Sequence, residues 1–202
     1  MGFSRSYNWR VGYSVIFTDR EIIIAIERGL IIIDPRPNSK YFASTSVDLT
    51  LDPVIAKFKP STPGLETTVD PDHEGFKSDA VLADLTESIS IGSDGFLIPP
   101  KTLFLAWTKE YVELKTETRV AARVEGKSSL ARLGLGVHVT APTIHAGFKG
   151  RIRLEMINHG ALSIKLREGM RICQLIFETT LGTPERGYSG QFQGQNSHPC
   201  NV

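Results

Sequence analysis

Short segments with the alternating pattern of β-strands dominate the second half of the chain. They recur at intervals of roughly ten residues from Thr102 onward, and they read LFLAWTKEYVEL, RVAARVEG, LGVHVTA, RIRLEMIN, LSIKL and ICQLIFE. Turn-forming residues such as Pro142 and Gly147 separate them. Evenly spaced short strands with turns between them are typical of antiparallel barrels and sandwiches. The sequence therefore predicts an all-β fold with a few short helices.

One helix and one irregular segment are predicted before this strand-rich region. Thr18 and Glu21 have the spacing of a capping box, apolar residues follow them, and Gly29 is placed to end the helix. Residues 60–99 are rich in Pro, Gly, Asp, Ser and Thr, which predicts an irregular arm. The polar, glycine-rich end, about residues 183–202, predicts a flexible lid. We expect a single domain over residues 1–202.

Composition limits the classes of partner that the chain can bind. The 202 residues are 41% hydrophobic and 22% charged with a net charge of +1, which suits one core and disfavours a dedicated nucleic-acid binder. Two cysteines favour a reducing compartment. The first residues lack the apolar core of a signal peptide, and no apolar run reaches membrane-spanning length. We expect a cytoplasmic protein that binds neither nucleic acid nor membrane.

Hydroxyl and cationic side chains are concentrated in the segment KSSLARLG, residues 127–134. Ser128 and Ser129 are suited to capping a short helix that Gly134 ends. Free amides at a helix start and the Lys127 ammonium both favour an anion, and Ser128 and Arg132, four residues apart, share one helix face. Taken alone, such a segment is more often a capped surface turn with a solvated arginine.

Two further candidates are an acidic residue in a strand and a histidine in a turn. Alternation in GRIRLEMIN places Ile152, Leu154 and Met156 on one face and Arg151, Arg153 and Glu155 on the other. Glu155 therefore lies either on the solvated outside of a barrel or in a cleft. His145 lies at a turn between two strands, where a lone histidine is usually structural or exposed.

The sequence lacks the pattern of the zinc-dependent nucleobase deaminases. Those enzymes need H-x-E together with P-C-x-x-C, and the Pro-Cys pair of this chain, Pro199-Cys200, is followed by two residues only. We therefore predict no zinc and no metal-binding residues in the protein. The tail GYSGQFQGQ offers aromatic rings and amides that could stack on a base and bond its edge.

Several motifs in order resemble the deoxycytidine triphosphate (dCTP) deaminases, relatives of the trimeric dUTPases. They are GKSSLARLGLGVHVTA, AGFKGRIRLEMIN, LREGMRICQLIFE and the closing FQGQ, with FTDREIIIAIERGLIIIDPRP and STSVDLTL nearer the start. Several motifs in the same order are far more specific than any single motif. The resemblance therefore outweighs the purely structural interpretations given above for the individual segments. It implies the distorted jelly-roll-like β barrel of the dUTPase superfamily, assembled as a homotrimer with active sites between subunits.

The resemblance also implies a reaction, the zinc-independent hydrolysis of dCTP to dUTP and ammonia. Glu155 matches the family's catalytic glutamate, which takes a proton from the attacking water. Ser128 and the backbone carbonyl of Ala141 match the groups that position this water, and Arg132 matches the arginine beside them. Mg²⁺ would travel with the triphosphate, and dTTP would act as a feedback inhibitor.

A set of nucleotide contacts carries over in the same way. Lys127, Ser128, Ser129, Leu130, Ala131 and Arg132 match the phosphate-binding turn. Arg153, Leu154 and Glu155 match the strand that faces the base and sugar, and Gln174, Tyr188 and Gln195 match further contacts.

Two departures from the family pattern keep alternative functions open. His145 stands where many members have an aspartate, which in the dUTPase-like reaction helps water attack the phosphate chain. Gln191 stands where many members have a lysine, so this chain lacks a cation that those members place near the phosphates. The histidine favours a dUTP-forming deaminase over a bifunctional, dUMP-forming enzyme or a dUTP diphosphatase on the same fold. A non-catalytic nucleotide-binding regulator is the remaining alternative.

Overall fold

The computed structural model describes residues 15–60, 68–188 and 194. In this part of the chain the helices are α1 (Asp19–Glu27), α2 (Ser78–Leu85) and α3 (Ser128–Ala131). The strands are β1 (Ile31–Asp34), β2 (Phe42–Ala43), β3 (Ser46–Phe58), β4 (Thr86–Ser90), β5 (Phe96–Ile98), β6 (Leu103–Leu114), β7 (Val120–Gly126), β8 (Leu135–Gly136), β9 (Thr143–Ile144), β10 (Lys149–Asn158), β11 (Ile164–Leu166) and β12 (Arg171–Thr179). None of these helices has the length and apolar character needed to cross a bilayer.

One long antiparallel sheet organises the molecule. Its strand order is β8-β10-β6-β3-β12-β7-β9, with β1 paired to β6 and both β2 and β4 paired to β3. The short strands β5 and β11 pair with each other in a separate sheet. The long sheet curls into a half-barrel, which confirms the predicted all-β fold.

The core lies against the inward-facing positions of the long strands. On β10 the residues Ile152, Leu154 and Met156 are 4%, 1% and 0% exposed, whereas Arg153 and Glu155 between them are only half-buried. This alternation confirms the two faces predicted for the segment GRIRLEMIN. Many of the largest side chains of the core come from β3, β6, β10 and β12, and they include Leu49, Phe104 and Phe177.

The strand predicted over residues 135–141 is shorter than expected. Only Leu135 and Gly136 form β8, where they pair with Asn158 and Ile157 of β10. Beyond Gly136 the chain leaves the sheet and continues in irregular structure to β9. Alternation alone could not reveal this departure, because Val137 stays buried in the core while the backbone turns away from its neighbouring strand.

The two predicted helix starts differ in outcome. The helix predicted after Thr18 is confirmed as α1, and Gly29 beyond its end has the positive φ of +66° that glycine favours. The capping role predicted for Ser128 and Ser129 is wrong, because extended backbone continues one residue past β7 and makes Lys127 the N-cap residue. The two serines instead form the exposed first turn of α3.

The region predicted as an irregular arm contains regular structure in its described part. Strand β4 pairs with the end of β3, and α2 precedes it. Leu82 of α2 packs against a small apolar cluster of Ala56, Leu105 and Trp107, apart from the main core. The turn-forming residues of the segment lie mainly outside these elements. The composition of the whole segment therefore did not reveal α2, a helix with a single apolar contact face.

We expect Leu154→Ala to lower the free energy of unfolding by about 2–5 kcal/mol, because truncating a buried leucine leaves a cavity. Leu181, which is 64% exposed, provides the matched control, and Leu181→Ala should stay within about 0.5 kcal/mol of the wild type. Urea unfolding followed by circular dichroism measures both values. Equal losses in the two variants would contradict the burial of Leu154.

Candidate functional site

A cavity of about 620 Å³ opens on the polar face of β10. This volume lies within the range of small-molecule sites, roughly 300–1,000 Å³. Its walls come from the end of β3, α2, β6, β10 and the chain around β9. Apolar side chains form most of the lining, and they are Phe58, Leu82, Leu103, Leu105, Ile144, Phe148 and Ile152. The polar groups that enter the cavity therefore lie in mostly apolar surroundings.

Glu155 is the carboxylate of this cavity. Burial raises its pKa above the ordinary value of 4.5, because the apolar walls disfavour the charged form. Its own backbone, His138, Arg153 and the backbone of Val139 favour the charged form and lower the pKa in part. A carboxylate with a raised pKa in a mostly apolar cavity is suited to accept a proton from a bound water.

Arg153 reaches the cavity from the same face of β10, two residues before Glu155. Its guanidinium lies over the Trp107 ring, 5.6 Å from the ring centroid. Its Nη1 atom also lies 3.0 Å from Oδ1 of Asp79, near the start of α2. The arginine thus joins the strand that carries Glu155 to the helix that forms another wall.

His145 and Tyr188 both line the cavity and stack on each other, with ring centroids 5.4 Å apart and an angle of 14° between the planes. The amide of Tyr188 donates to the carbonyl of Ala146 at 3.2 Å, and its ring also packs against Phe148. Gly147 has a φ of +92°, and a Cβ there would lie 2.7 Å from the Tyr188 nitrogen. Glycine at 147 therefore permits this close approach of the C-terminal segment.

The serine-rich turn lies at a different cavity of the same chain. Leu130, Ala131 and Arg132 line that second cavity together with residues 160–165, and within the described residues the two cavities share no lining residue. The hydroxyls of Ser128 and Ser129 lie on the exposed start of α3.

A buried aspartate holds the base of this turn. Oδ1 of Asp48 lies 2.5 Å from Nζ of Lys127, and its Oδ2 lies 3.0 Å from Nη1 of Arg171. On the neighbouring strand, Gln174 accepts a hydrogen bond from the Ser46 hydroxyl and donates one to the carbonyl of Gly126. The position of Lys127 is therefore fixed by the sheet, and Gln174 helps to fix the backbone just before it.

The structure divides the predicted site residues into groups. Glu155, Arg153, His145, Tyr188 and Ala141 surround one cavity. Lys127, Ser128, Ser129, Leu130, Ala131, Arg132 and Gln174 form or border the serine-rich turn. Leu154 points into the core, so only its backbone can serve the cavity. Gln191 and Gln195, with most of the predicted lid, lie outside the described residues.

Sequence reasoning missed the contribution of α2 and of His138. Ser78 and Leu82 line the cavity and Asp79 pairs with Arg153, although all three belong to the segment predicted as an irregular arm. The apolar residues Val81, Leu82 and Leu85 in SDAVLADL are the signal that could have identified a helix there. In the described residues, no group of three or more His, Cys, Asp or Glu side chains is placed to hold a metal ion.

Comparison with known proteins identifies the family. A family model described as dCTP deaminase-like matches residues 16–180. The chain belongs to this family. A relative from Methanobrevibacter smithii named "dCTP deaminase, dUMP-forming" is 37% identical over 86% of this chain and 84% of its own length. A relative from Tolumonas auensis named "dCTP deaminase" is 40% identical over 85% of this chain and 87% of its own length.

A solved structure shares the fold. The crystal structure of 2′-deoxycytidine 5′-triphosphate deaminase from Agrobacterium tumefaciens matches with a TM-score of 0.64 at 20% sequence identity. The match covers 82% of this chain but 48% of that chain, so this protein spans about half the length of its structural neighbour. At this identity the likeness establishes a common fold for the curled sheet.

We expect Glu155→Gln to raise the melting temperature at about pH 8, because a neutral amide avoids the cost of an ionised carboxylate in the cavity. The pKa of Glu155 is raised in the folded state. Its contribution to stability is therefore fully present at pH values below its pKa in the unfolded state, and it is lost as the pH rises through its pKa in the folded state. The difference between variant and wild type should therefore shrink toward about pH 4.

Thermal unfolding at both pH values measures this difference, and Glu87→Gln at an exposed position of β4 is the matched control. A melting-temperature difference for Glu155→Gln that is independent of pH would contradict the titration of this carboxylate in the cavity.

Proposed function

We propose that this chain catalyses the hydrolytic deamination of dCTP to dUTP and ammonia without a protein-bound metal. The observation that carries the proposal is the Glu155 carboxylate, which is half-buried in an apolar cavity and has a raised pKa. Its position in a chain of the dCTP deaminase-like family gives this carboxylate a specific reaction to perform. The given sequence contains no H-x-E motif, which supports a mechanism without zinc.

In the proposed mechanism Glu155 activates a water held between its carboxylate and the Ala141 carbonyl. As the water oxygen bonds to C4 of cytosine, Glu155 takes one proton from the water and delivers it to N3 as the C4–N3 double bond opens. Glu155 then takes the proton of the new C4 hydroxyl and gives it to the amino group, the C4–N4 bond breaks, and ammonia leaves. The oxygen left on C4 becomes the carbonyl of dUTP, so one water is consumed for each ammonia released.

We propose that a neighbouring copy of the chain completes each site, as in a homotrimer. Ser128 and Arg132, the proposed partners of Glu155, belong to a turn that borders a different cavity of the same chain. The exposed Leu133 and Leu162, at 62% and 79%, both line that second cavity and offer apolar surface for a contact between subunits. A turn projecting from one subunit into the Glu155 cavity of the next would bring the proposed groups together.

The same turn would bind the triphosphate. Lys127, held by Asp48, supplies a cation next to the free amides at the start of α3. Gln191 and Gln195 would add contacts from the tail, Mg²⁺ would arrive bound to the phosphates, and dTTP would compete as a feedback inhibitor. A cytoplasmic location stays a prediction from the sequence.

A dUMP-forming enzyme is the second candidate, because the relative from Methanobrevibacter smithii carries that name. Such an enzyme also hydrolyses the phosphate chain and releases pyrophosphate. His145, which stacks on Tyr188 at the cavity, occupies the position where many family members have the aspartate for that step. We therefore favour dUTP as the product.

Incubation with dCTP and Mg²⁺ should release ammonia and dUTP in equal amounts, with no pyrophosphate, and a zinc chelator such as 1,10-phenanthroline should leave the rate unchanged. Glu155→Gln should lower kcat by at least about 100-fold, because the amide cannot accept the proton of water. Chromatography of the nucleotides with an enzymatic ammonia assay measures these products. Release of pyrophosphate would favour the dUMP-forming enzyme, and unchanged turnover in the variant would contradict the role of Glu155.

Mixing two inactive variants tests whether neighbouring copies share a site. Glu155→Gln and Ser128→Ala should each be inactive alone, whereas equal amounts denatured and refolded together should regain about a quarter of the wild-type rate, because random assembly gives that share of intact sites. The control is each variant refolded alone. Failure to regain activity in mixed oligomers would place all the catalytic groups of a site in one chain.

A further inference from the structure

Helix α2 forms one wall of the Glu155 cavity although none of its residues is buried. Ser78 and Leu82 line the cavity, and Leu82 packs on the apolar cluster that contains Trp107. Helix α2 also precedes β4, which pairs with β3, so the wall is continuous with the sheet. A surface helix in this position can set the arrangement of the polar groups beside it.

Arg153 links α2 to the strand that carries Glu155. Its side chain is 19% exposed, its guanidinium lies over the Trp107 ring, and its Nη1 is 3.0 Å from Oδ1 of Asp79. A guanidinium is attracted both to a carboxylate and to the face of an indole ring. Asp79 and Trp107 therefore hold the guanidinium from two sides.

Glu155 offers the same arginine a second carboxylate. Arg153 and Glu155 lie two residues apart on one face of β10 and line one cavity. Within residues 15–60 and 68–188, however, the ion-pair partner of Arg153 is Asp79, and no ion pair joins Arg153 to Glu155. A direct pair with arginine lowers the pKa of a carboxylate by about 1–3 units, which would weaken it as a base.

We propose that Asp79 is a positioning residue for the catalytic base, an inference that rests on the proposed function. By holding the Arg153 guanidinium at the α2 wall, Asp79 prevents a direct ion pair between Arg153 and Glu155. Burial can then keep the carboxylate basic enough to take a proton from water, while the arginine stays in the cavity. The arm of the chain thereby controls the strength of the base.

Within one chain, the other charged and titratable groups described around Glu155 come from three further segments. His138 follows β8, His145 follows β9, and Tyr188 belongs to the C-terminal segment. Asp79 pairs with none of these three in the described structure, so Arg153 is the group through which we expect it to act on Glu155.

The test is Asp79→Asn, which removes the charge and keeps the size of the side chain. The titration midpoint of the Glu155 carboxyl, followed by ¹³C NMR and assigned by its loss in Glu155→Gln, should fall by about one pH unit as Arg153 turns to Glu155. Asp84→Asn, which removes a carboxylate from the exposed face of the same helix, is the matched control and should leave the midpoint unchanged. An unchanged midpoint in Asp79→Asn, or an equal fall in the control, overturns the proposal.

The same substitution in an Arg153→Gln background separates positioning from a structural effect of α2. Without the guanidinium, Asp79→Asn should no longer move the Glu155 midpoint, whereas a shift of the same size would overturn the proposal. In the Arg153-containing protein, kcat for ammonia release should fall about tenfold with the weaker base. If the wild type releases no ammonia from dCTP, the proposed function fails, and the titration still decides the role of Asp79.

Discussion

The two-sided burial of β10 is the constraint on which the site depends. Ile152, Leu154 and Met156 anchor one face of the strand in the core, so Arg153 and Glu155 are held on the opposite face, at the cavity. A shift of one residue in register would exchange the two sets and place a carboxylate in the core. Core packing therefore fixes the position of the carboxylate that we propose as the catalytic base.

A balance of charges then determines what this carboxylate can do. Burial raises the pKa of Glu155, and His138 and Arg153 oppose that effect without cancelling it. Asp79 and Asp48 have related tasks in this scheme, since each pairs with a cation near a proposed binding group. Asp79 holds Arg153 at the cavity wall, and Asp48 holds Lys127 at the base of the serine-rich turn. Two carboxylates that take no part in the proposed reaction thus hold the cations near the proposed binding groups.

Local patterns predicted some parts of this arrangement and not others. Alternation and turn spacing were enough for the sheet and for the two faces of β10, because both depend on residues near in sequence. The ion pair between Asp79 and Arg153 joins residues 74 positions apart, and Asp79 belongs to a segment whose composition favours turns. No local signal therefore revealed this pair. The motifs aligned Arg132 with Glu155 in function, but they did not indicate that the two residues line different cavities of one chain.

The pH dependence of kcat/KM for dCTP tests most directly whether a buried carboxylate is the base. Because burial raises the pKa of Glu155 above 4.5, the rate constant should fall on the acidic side with a midpoint above that value. Activity that persists undiminished to lower pH would contradict the account, since an ionised Glu155 would then not be required.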